Sequence, residues 1–394
     1  MITKTEIMEF SREFSLRADI IEKDYVLGWV LAGIASQTAL IDNLIFKGGT
    51  CLKKCYFETY RFSEDLDYTV IDQQYIDEKI LQDNFKKVAA WVGDASGIEI
   101  PVDSIRFEKY QNNAGKESIE GRIGYIGPMR RRNSLARIKL DLTDDEILVM
   151  PAELREVHHP YSDMPPEGIK ANSYCFPEVF AEKIRALSER ARPRDLYDVI
   201  HLFRRANQHA KPAEILRILK KKCEYKNIPV PSMDLLEAHP KIQELETEWE
   251  NMLSHQLPTL PPRERFWQEL PELFDWLHGG AWRGNQESAP VREKNIDHTW
   301  QAPNMIHAWY ESTPLELVRY AGANHLCIEL TYDNSKRLIE PYDLKRTKAG
   351  KLLIVAARHD SGEWRSYRVD RIQGLKVTQT PFVPRAVVSL TPFV

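Results

Sequence analysis

Long apolar runs are missing from this chain: none approaches the roughly 18 to 20 residues of a membrane-spanning helix, and no amino-terminal signal pattern precedes a cleavage site. No membrane partner is therefore expected, and the expected location is the cytoplasm. Cysteine is sparse. The five (Cys51, Cys55, Cys175, Cys223 and Cys327) are odd in number and form no Cys-x-x-Cys pair, which excludes a disulfide framework and suits a reducing compartment. Cys51 and Cys55, at i, i+4 spacing, read as small residues on the buried face of a helix. Zinc-type Cys/His spacing, a His-Glu-x-x-His helix, a Gly-x-Ser-x-Gly elbow and a Walker A loop are all missing, which leaves zinc, serine-hydrolase and P-loop chemistry without support. A net charge of −4 excludes global basicity, so contact with nucleic acid must come from local patches such as Arg130-Arg131-Arg132 or Lys220-Lys221-Lys222.

What is present is ordinary globular composition, 43% hydrophobic and 28% charged over 394 residues, enough for two or three domains. Residues 2–40 read as helical. A short strand at 44–46 follows, then a Gly48-Gly49-Thr50 turn opening a helix, a strand at 65–67 and a long helix over 74–96. Strand-rich sequence occupies about 101–110, 121–127, 135–142 and 146–149. Helical sequence resumes at Pro177 through Leu187, is broken at Pro193, and restarts at Leu196–Arg205 with Asp195 placed to cap it. Further helices are expected near 212–224, 234–255 and 263–277. The predicted fold class is α+β: a mixed sheet with a helical second half, followed by a small β-rich domain with strands at 326–332, 337–346, 351–357, 364–369 and 375–378. The predicted domains are 1–278 (sheet-containing core about 1–170, helical half about 171–278), a linker at 279–304, and 305–394.

Residues 46–67 carry the most specific chemistry. Asp65 and Asp67 alternate with Leu66 on one strand, so both carboxylates face one way. Two carboxylates about 5.5 Å apart repel by roughly 3 kcal/mol at an effective dielectric near 20, so the pair requires a proton or a cation. Mg²⁺ (or Mn²⁺) is the expected ion. The backbone N–H groups of Gly48 and Gly49, ahead of a helix amino terminus, form a candidate phosphate cradle with the Thr50 hydroxyl. A third carboxylate for hard metal ions is expected from a neighbouring strand, and Asp141 is the candidate; its bland alternative is the end of a strand. Ser63 and Arg61 flank the Asp-x-Asp strand, where they either touch phosphate or shape its entrance. Lys183, Arg190 and Arg194 recur at one- and two-turn spacing, concentrating positive charge.

These residues bear a family resemblance. Phe46-Lys47-Gly48-Gly49-Thr50, Arg61-Phe62-Ser63-Glu64-Asp65-Leu66-Asp67, and Phe180-Ala181-Glu182-Lys183 with Arg194-Asp195-Leu196-Tyr197-Asp198 resemble the motifs of the AbiEii toxin family of nucleotidyltransferases, in the polymerase-β-like superfamily. Glu22-Lys23-Asp24-Tyr25 resembles the family's amino-terminal helix. The resemblance implies a polymerase-β-like core and a toxin of bacterial toxin–antitoxin or phage-defence systems, using a nucleoside triphosphate as substrate and an RNA acceptor, tRNA above all. It also implies Asp65 and Asp67 as metal ligands. Gly48, Gly49 and Thr50 would be the triphosphate cradle, Lys183 a nucleotide-contacting cation and Asp198 a further active-site acid. A cognate antitoxin is an implied partner.

Leu326 to Val377 resembles a WYL domain, a small Sm/SH3-like β-barrel; the naming triplet is replaced by Leu352-Leu353-Ile354. Such domains are sensors or nucleic-acid contacts. Arg337, Arg368 and Arg371, interleaved with Tyr342, Trp364 and Tyr367, have the cation-plus-aromatic character suited to a regulatory ligand or nucleic acid. Two other readings stay open: a nucleotide- and nucleic-acid-binding regulator without turnover, and an enzyme that nucleotidylates a protein.

Overall fold

The computed structural model describes residues 1–111, 115–130, 134–282, 284, 287–302 and 314–390. Arg131 and Arg132, the last two linker residues, residues 305–313 and residues 391–394 lie outside the described residues.

The expected amino-terminal helical stretch resolves into α1 (Lys4–Glu13), α2 (Ala18–Ala35) and α3 (Thr38–Ile41), the first break falling at Ser15, whose φ of 50° no helix continues. α2 is buried almost all round, which explains why its sequence is apolar on every face. Then come β1 (Leu44–Lys47), α4 (Gly48–Cys55), β2 (Asp65–Val70) and α5 (Glu78–Ser96). α5 is capped by the Asp77 carboxylate at its start and by left-handed Gly97 at its end.

β3 (Arg106–Gln111), β4 (Glu117–Tyr125), β5 (Ala136–Thr143), β6 (Glu153–Glu156) and β7 (Lys170–Ser173) complete a seven-stranded sheet in the order β3-β4-β5-β2-β1-β7-β6. It is mixed, with β2–β5 and β1–β7 parallel and the other pairs antiparallel. Residues 146–149 form no strand, contrary to expectation. β6 and β7 take that place, and their short, charged sequences carry no alternation by which to find them.

The helical half contains α6 (Phe176–Arg190), α7 (Pro193–His209), α8 (Pro212–Lys226), α9 (Met233–Glu237), α10 (Ile242–Thr247), α11 (Trp249–Leu253), α12 (Arg263–Trp267) and α13 (Leu270–Leu277). The expected helices at 234–255 and 263–277 are thus divided into short pieces. Asp195 does not cap α7: the helix begins at Pro193, whose fixed φ suits a first turn, and Asp195 lies inside it. Lys222 leaves the expected surface patch, being buried against Glu178 (2.8 Å) and Glu182 (3.3 Å). Cys51 and Cys55 are buried, as their spacing implied.

α14 (Leu315–Ala323) precedes a five-stranded antiparallel sheet of β8 (Leu326–Tyr332), β9 (Ser335–Arg346), β10 (Leu352–Arg358), β11 (Trp364–Arg368) and β12 (Ile372–Pro381), in the order β11-β10-β9-β8-β12. Register shifts at Val355/Ala356, Ile372/Gly374 and Val377/Pro381 bend its strands. The expected linker is more than a tether. Ser288 bridges Val387, Ile296 bridges Thr347, and Asp297 pairs with Arg346 at 2.7 Å, strapping this segment to the sheet. One buried apolar cluster runs from α1 and α2 through the helical half into α14 and the second sheet.

Candidate active site

Strand register assembles the acidic face. β1 sets Lys47 opposite Asp67, β5 sets Asp141 beside Asp67 and Lys139 beside Asp65, and β4 sets Glu120 opposite Asp141. Asp65 and Asp67 share a face because Leu66 takes the other into the core. Gly48 has a φ of 79°, and a Cβ there would lie 2.0 Å from Asp67 Oδ2, so conformation and space both demand glycine. A Cβ on Gly49 would lie 2.4 Å from Arg61 Nη2 and 3.0 Å from Ser63 Oγ, so those two groups lie against the amino terminus of α4. Thr50 is fully buried and donates its hydroxyl to the Asp65 carbonyl. That bond ties α4 to the start of β2, and the hydroxyl is spent on the scaffold.

The acids are undercompensated. Burial, then Asp141, pushes Asp67 up to about 6, against the opposing fields of Lys47 and Lys183. Burial also raises Asp65, against Lys23 and Lys139. Asp141 is held by Lys139 at 3.0 Å, which also reaches Glu120 at 3.1 Å. Among the described residues no group of three or more His, Cys, Asp or Glu side chains is already arranged to hold a metal ion. The donor chemistry nevertheless fits a hard divalent cation, since Asp65, Asp67 and Asp141 are half-buried oxygen donors on adjacent strands and both Asp65 and Asp67 are raised.

A second acidic pair lies across the site and is saturated. Asp198, fully buried, accepts from Arg61 Nε (2.7 Å) and Nη2 (2.8 Å) and from Tyr60 (2.5 Å), and pairs with Lys183 at 2.7 Å. Burial alone would raise its carboxyl, but Arg61 and Lys183 outweigh that and hold it well below the usual range. These donors hold Asp198 ionised and bring Arg61, Tyr60 and Lys183 together on one carboxylate. Asp195 is bidentate with Arg190 (2.6 and 2.8 Å) and lies 3.6 Å from Lys183. Arg194 is half-buried; burial and then Arg61 lower it, against the fields of Asp65 and Asp198.

In the C-terminal sheet the arginines divide. The Arg337 and Arg371 guanidinium carbons lie 5.7 and 5.4 Å from the centre of the Tyr332 ring, and Arg371 also pairs with Asp333 at 2.8 Å. Arg368 is taken by Asp370 at 2.7 Å, with Lys351 on the same carboxylate. Trp364 packs edge-on against Tyr342 (4.7 Å between centroids) and Tyr367 against Tyr332 (5.3 Å), so these aromatics serve the sheet's own packing.

The family described as "Nucleotidyl transferase AbiEii toxin, Type IV TA system" matches residues 29–278, well over half of the 394. The chain belongs to the AbiEii family. It is thus a nucleotidyltransferase toxin of that type, and residues 314–377 match the WYL domain. Among solved structures, MenT4, a nucleotidyltransferase toxin of Mycobacterium tuberculosis, is similar at 18% identity, covering 71% of this chain and 91% of that one with a TM-score of 0.49. JHP933 of Helicobacter pylori is similar at 14% identity, covering 67% and 93%, with a TM-score of 0.43. No curated protein matches.

Three charged residues of this AbiEii chain reach the site without having been assigned a place there from sequence. Lys47, buried opposite Asp67, lies 3.7 Å from Glu182. Burial would raise Glu182, but Lys47 and Lys222 keep it far below the usual carboxylate range. Lys23 pairs with Glu64 at 2.8 Å, next to Asp65. Adjacency was the available signal, since Lys47 immediately precedes the glycine pair and Glu182 precedes Lys183. Asp24, beside Lys23, works in the scaffold. With Tyr161 at 2.9 Å, it holds the buried ammonium of Lys54 at 2.7 Å and so ties α2 to α4.

Proposed function

We propose that this AbiEii toxin transfers a nucleotide from a nucleoside triphosphate to an RNA hydroxyl, with tRNA as the acceptor class, in the cytoplasm. The observation that carries the reading is the Asp67 carboxylate, seated on Gly48 beside Asp141 and pushed up to about 6 by burial and by that neighbouring acid. Asp65, Asp67 and Asp141 would hold divalent metal ions, Mg²⁺ or Mn²⁺, whose chemistry is to neutralise the triphosphate and activate the attacking hydroxyl. Gly48 and Gly49 offer main-chain N–H groups to phosphate, with Ser63 Oγ beside them. Lys183, oriented by Asp198 and Asp195, directs its ammonium at the transferred nucleotide; Lys47 and Lys23 temper the negative field of the acids from two sides. Arg337 and Arg371 around Tyr332 form the candidate contact for a regulatory ligand or nucleic acid, and a cognate antitoxin is the expected protein partner.

Labelled nucleoside triphosphates incubated with purified protein, Mg²⁺ and total tRNA test this. Label is expected on RNA with the native chain and not with Asp65→Ala/Asp67→Ala. Equal transfer by both, or transfer by neither, overturns the reading; label on protein instead moves the acceptor class.

A further inference from the structure

The α14 helix, which leads into the C-terminal sheet, is seated directly behind the active site. Its amino terminus has no side-chain cap of its own, and the Glu13 carboxylate at the end of α1 accepts the main-chain N–H of Glu316 at 3.1 Å. The Glu316 side chain accepts from Thr59 at 3.0 Å and pairs with Arg319, one turn on, at 3.2 Å, and Arg319 lies 3.7 Å from Glu58. Glu58, Glu316 and Arg319 are all buried. Glu58 and Thr59 belong to the short segment joining α4 to β2, and the next two residues are Tyr60 and Arg61, both bonded to Asp198.

The same helix grips the other side of that contact. Asn324, just past its end, meets His201 at 3.3 Å, and the Ala323 carbonyl accepts from Arg204 at 2.8 Å; both partners lie on α7, beyond Asp198. The helix therefore braces the segment that supplies Arg61 and the helix that supplies Asp198.

We infer that α14 is a positioning element of the nucleotidyl-transfer site: Arg319, Glu316 and Asn324 hold the Arg61–Asp198–Lys183 arrangement from the C-terminal domain. The physical reason is the cost of burying charge. Among the described residues neither oxygen of the Glu58 carboxylate has a hydrogen-bond donor, and burial pushes the group up to about 7 against the field of Arg319. Lys53 is committed to the Glu58 carbonyl, and burial keeps His158, 3.7 Å from the carboxylate, neutral. With α14 in place, Glu58 and Arg319 shelter each other. With α14 displaced, Glu58 must move to water or take a proton, and the Glu58–Arg61 segment moves with it. Any ligand that shifts the C-terminal sheet would then act on transfer through this seat.

The inference rests on the nucleotidyl-transfer reading for its activity arm only. In the full-length chain, Arg319→Met is expected to speed hydrogen exchange at residues 57–62 by tenfold or more, leaving β2 and β5 unchanged. It is also expected to lower kcat about tenfold with little change in the KM for nucleotide, and Arg319→Lys should recover most of both. The milder pair Thr59→Val with Asn324→Ala gives the same comparison if Arg319→Met does not fold. Unchanged exchange at 57–62 in a folded variant, or a kcat within twofold of native, overturns the seat. Loss of transfer in the native chain would count against the catalytic reading, and the exchange arm would still decide the seat.

Discussion

Two pairs of aspartates face each other across this site and teach opposite lessons. Asp67 and Asp141 lie side by side on parallel strands; burial and the neighbouring acid push Asp67 up to about 6, while Lys139 pairs with Asp141. Asp195 and Asp198, on one helix, are surrounded by Arg61, Lys183 and Arg190, and Asp198 stays ionised far below the usual range. A half-buried carboxylate pushed up by a neighbouring acid is stabilised by an arriving cation; a buried carboxylate ringed by cations already has its charge matched.

The sharpest way to break that comparison is to neutralise one member of each pair. Asp67→Asn is expected to abolish transfer, about 10³-fold or more by analogy with the loss of other electrostatic groups at a reacting centre, while leaving the melting temperature unchanged or raised. Asp198→Asn should do the reverse in stability, costing about 3–5 kcal/mol because Arg61 and Lys183 are left buried without their counter-charge. Thermal melts of the two variants side by side check this, and similar destabilisation in both would erase the distinction.

Glycine offers the next test. Gly48→Ala meets both a φ of 79° and the Asp67 carboxylate, whereas Gly350→Ala meets a φ of 80° with nothing within 4 Å. The second should cost only the backbone strain, about 1–2 kcal/mol, with transfer unaffected. The first should cost more and suppress transfer, because the acid must move. Denaturant melts and label transfer on both variants separate strain from displacement.

A smaller effect is expected from pH. A folded-state value near 6 for Asp67, above its ordinary 3.8, means that its contribution is fully present below the unfolded value and is lost as pH rises through about 6. Asp198, shifted down, contributes above its ordinary value, and that contribution is lost on acidification. Mg²⁺ competes with the proton on Asp67, so the rise in Tm on adding Mg²⁺ should be larger at about pH 8 than at about pH 5. Asp67→Asn should remove most of that difference.

The legible part of the site was local. Asp65-Leu66-Asp67 shows its shared face through the period of a strand, and Gly48-Gly49 declares a turn no other residue pair would make. Cys51 and Cys55 were correctly read as buried because their spacing is helical. The strands β6 and β7 were not legible, since four-residue segments such as Glu153–Glu156 carry no alternation and exist only because β1 offers an edge to pair with. Asp195 looked like a cap by residue type, but Pro193 opens the helix two positions earlier and frees Asp195 to bind Arg190. Lys222 looked like surface because it follows two lysines, while its place on α8 turns it inward to Glu178.

By itself, then, the amino-acid order determined where strands and turns carry acids and glycines, and through them the AbiEii family, because those features depend on neighbours within a few residues. Which acid is pushed up and which is held ionised depends on fields that folding assembles. Those fields come from Lys47, Arg61, Lys139 and Lys183, brought together from β1, the turn before β2, β5 and α6. Folding also places α14 behind Arg61, where buried Arg319 stands between the buried carboxylates of Glu316 and Glu58.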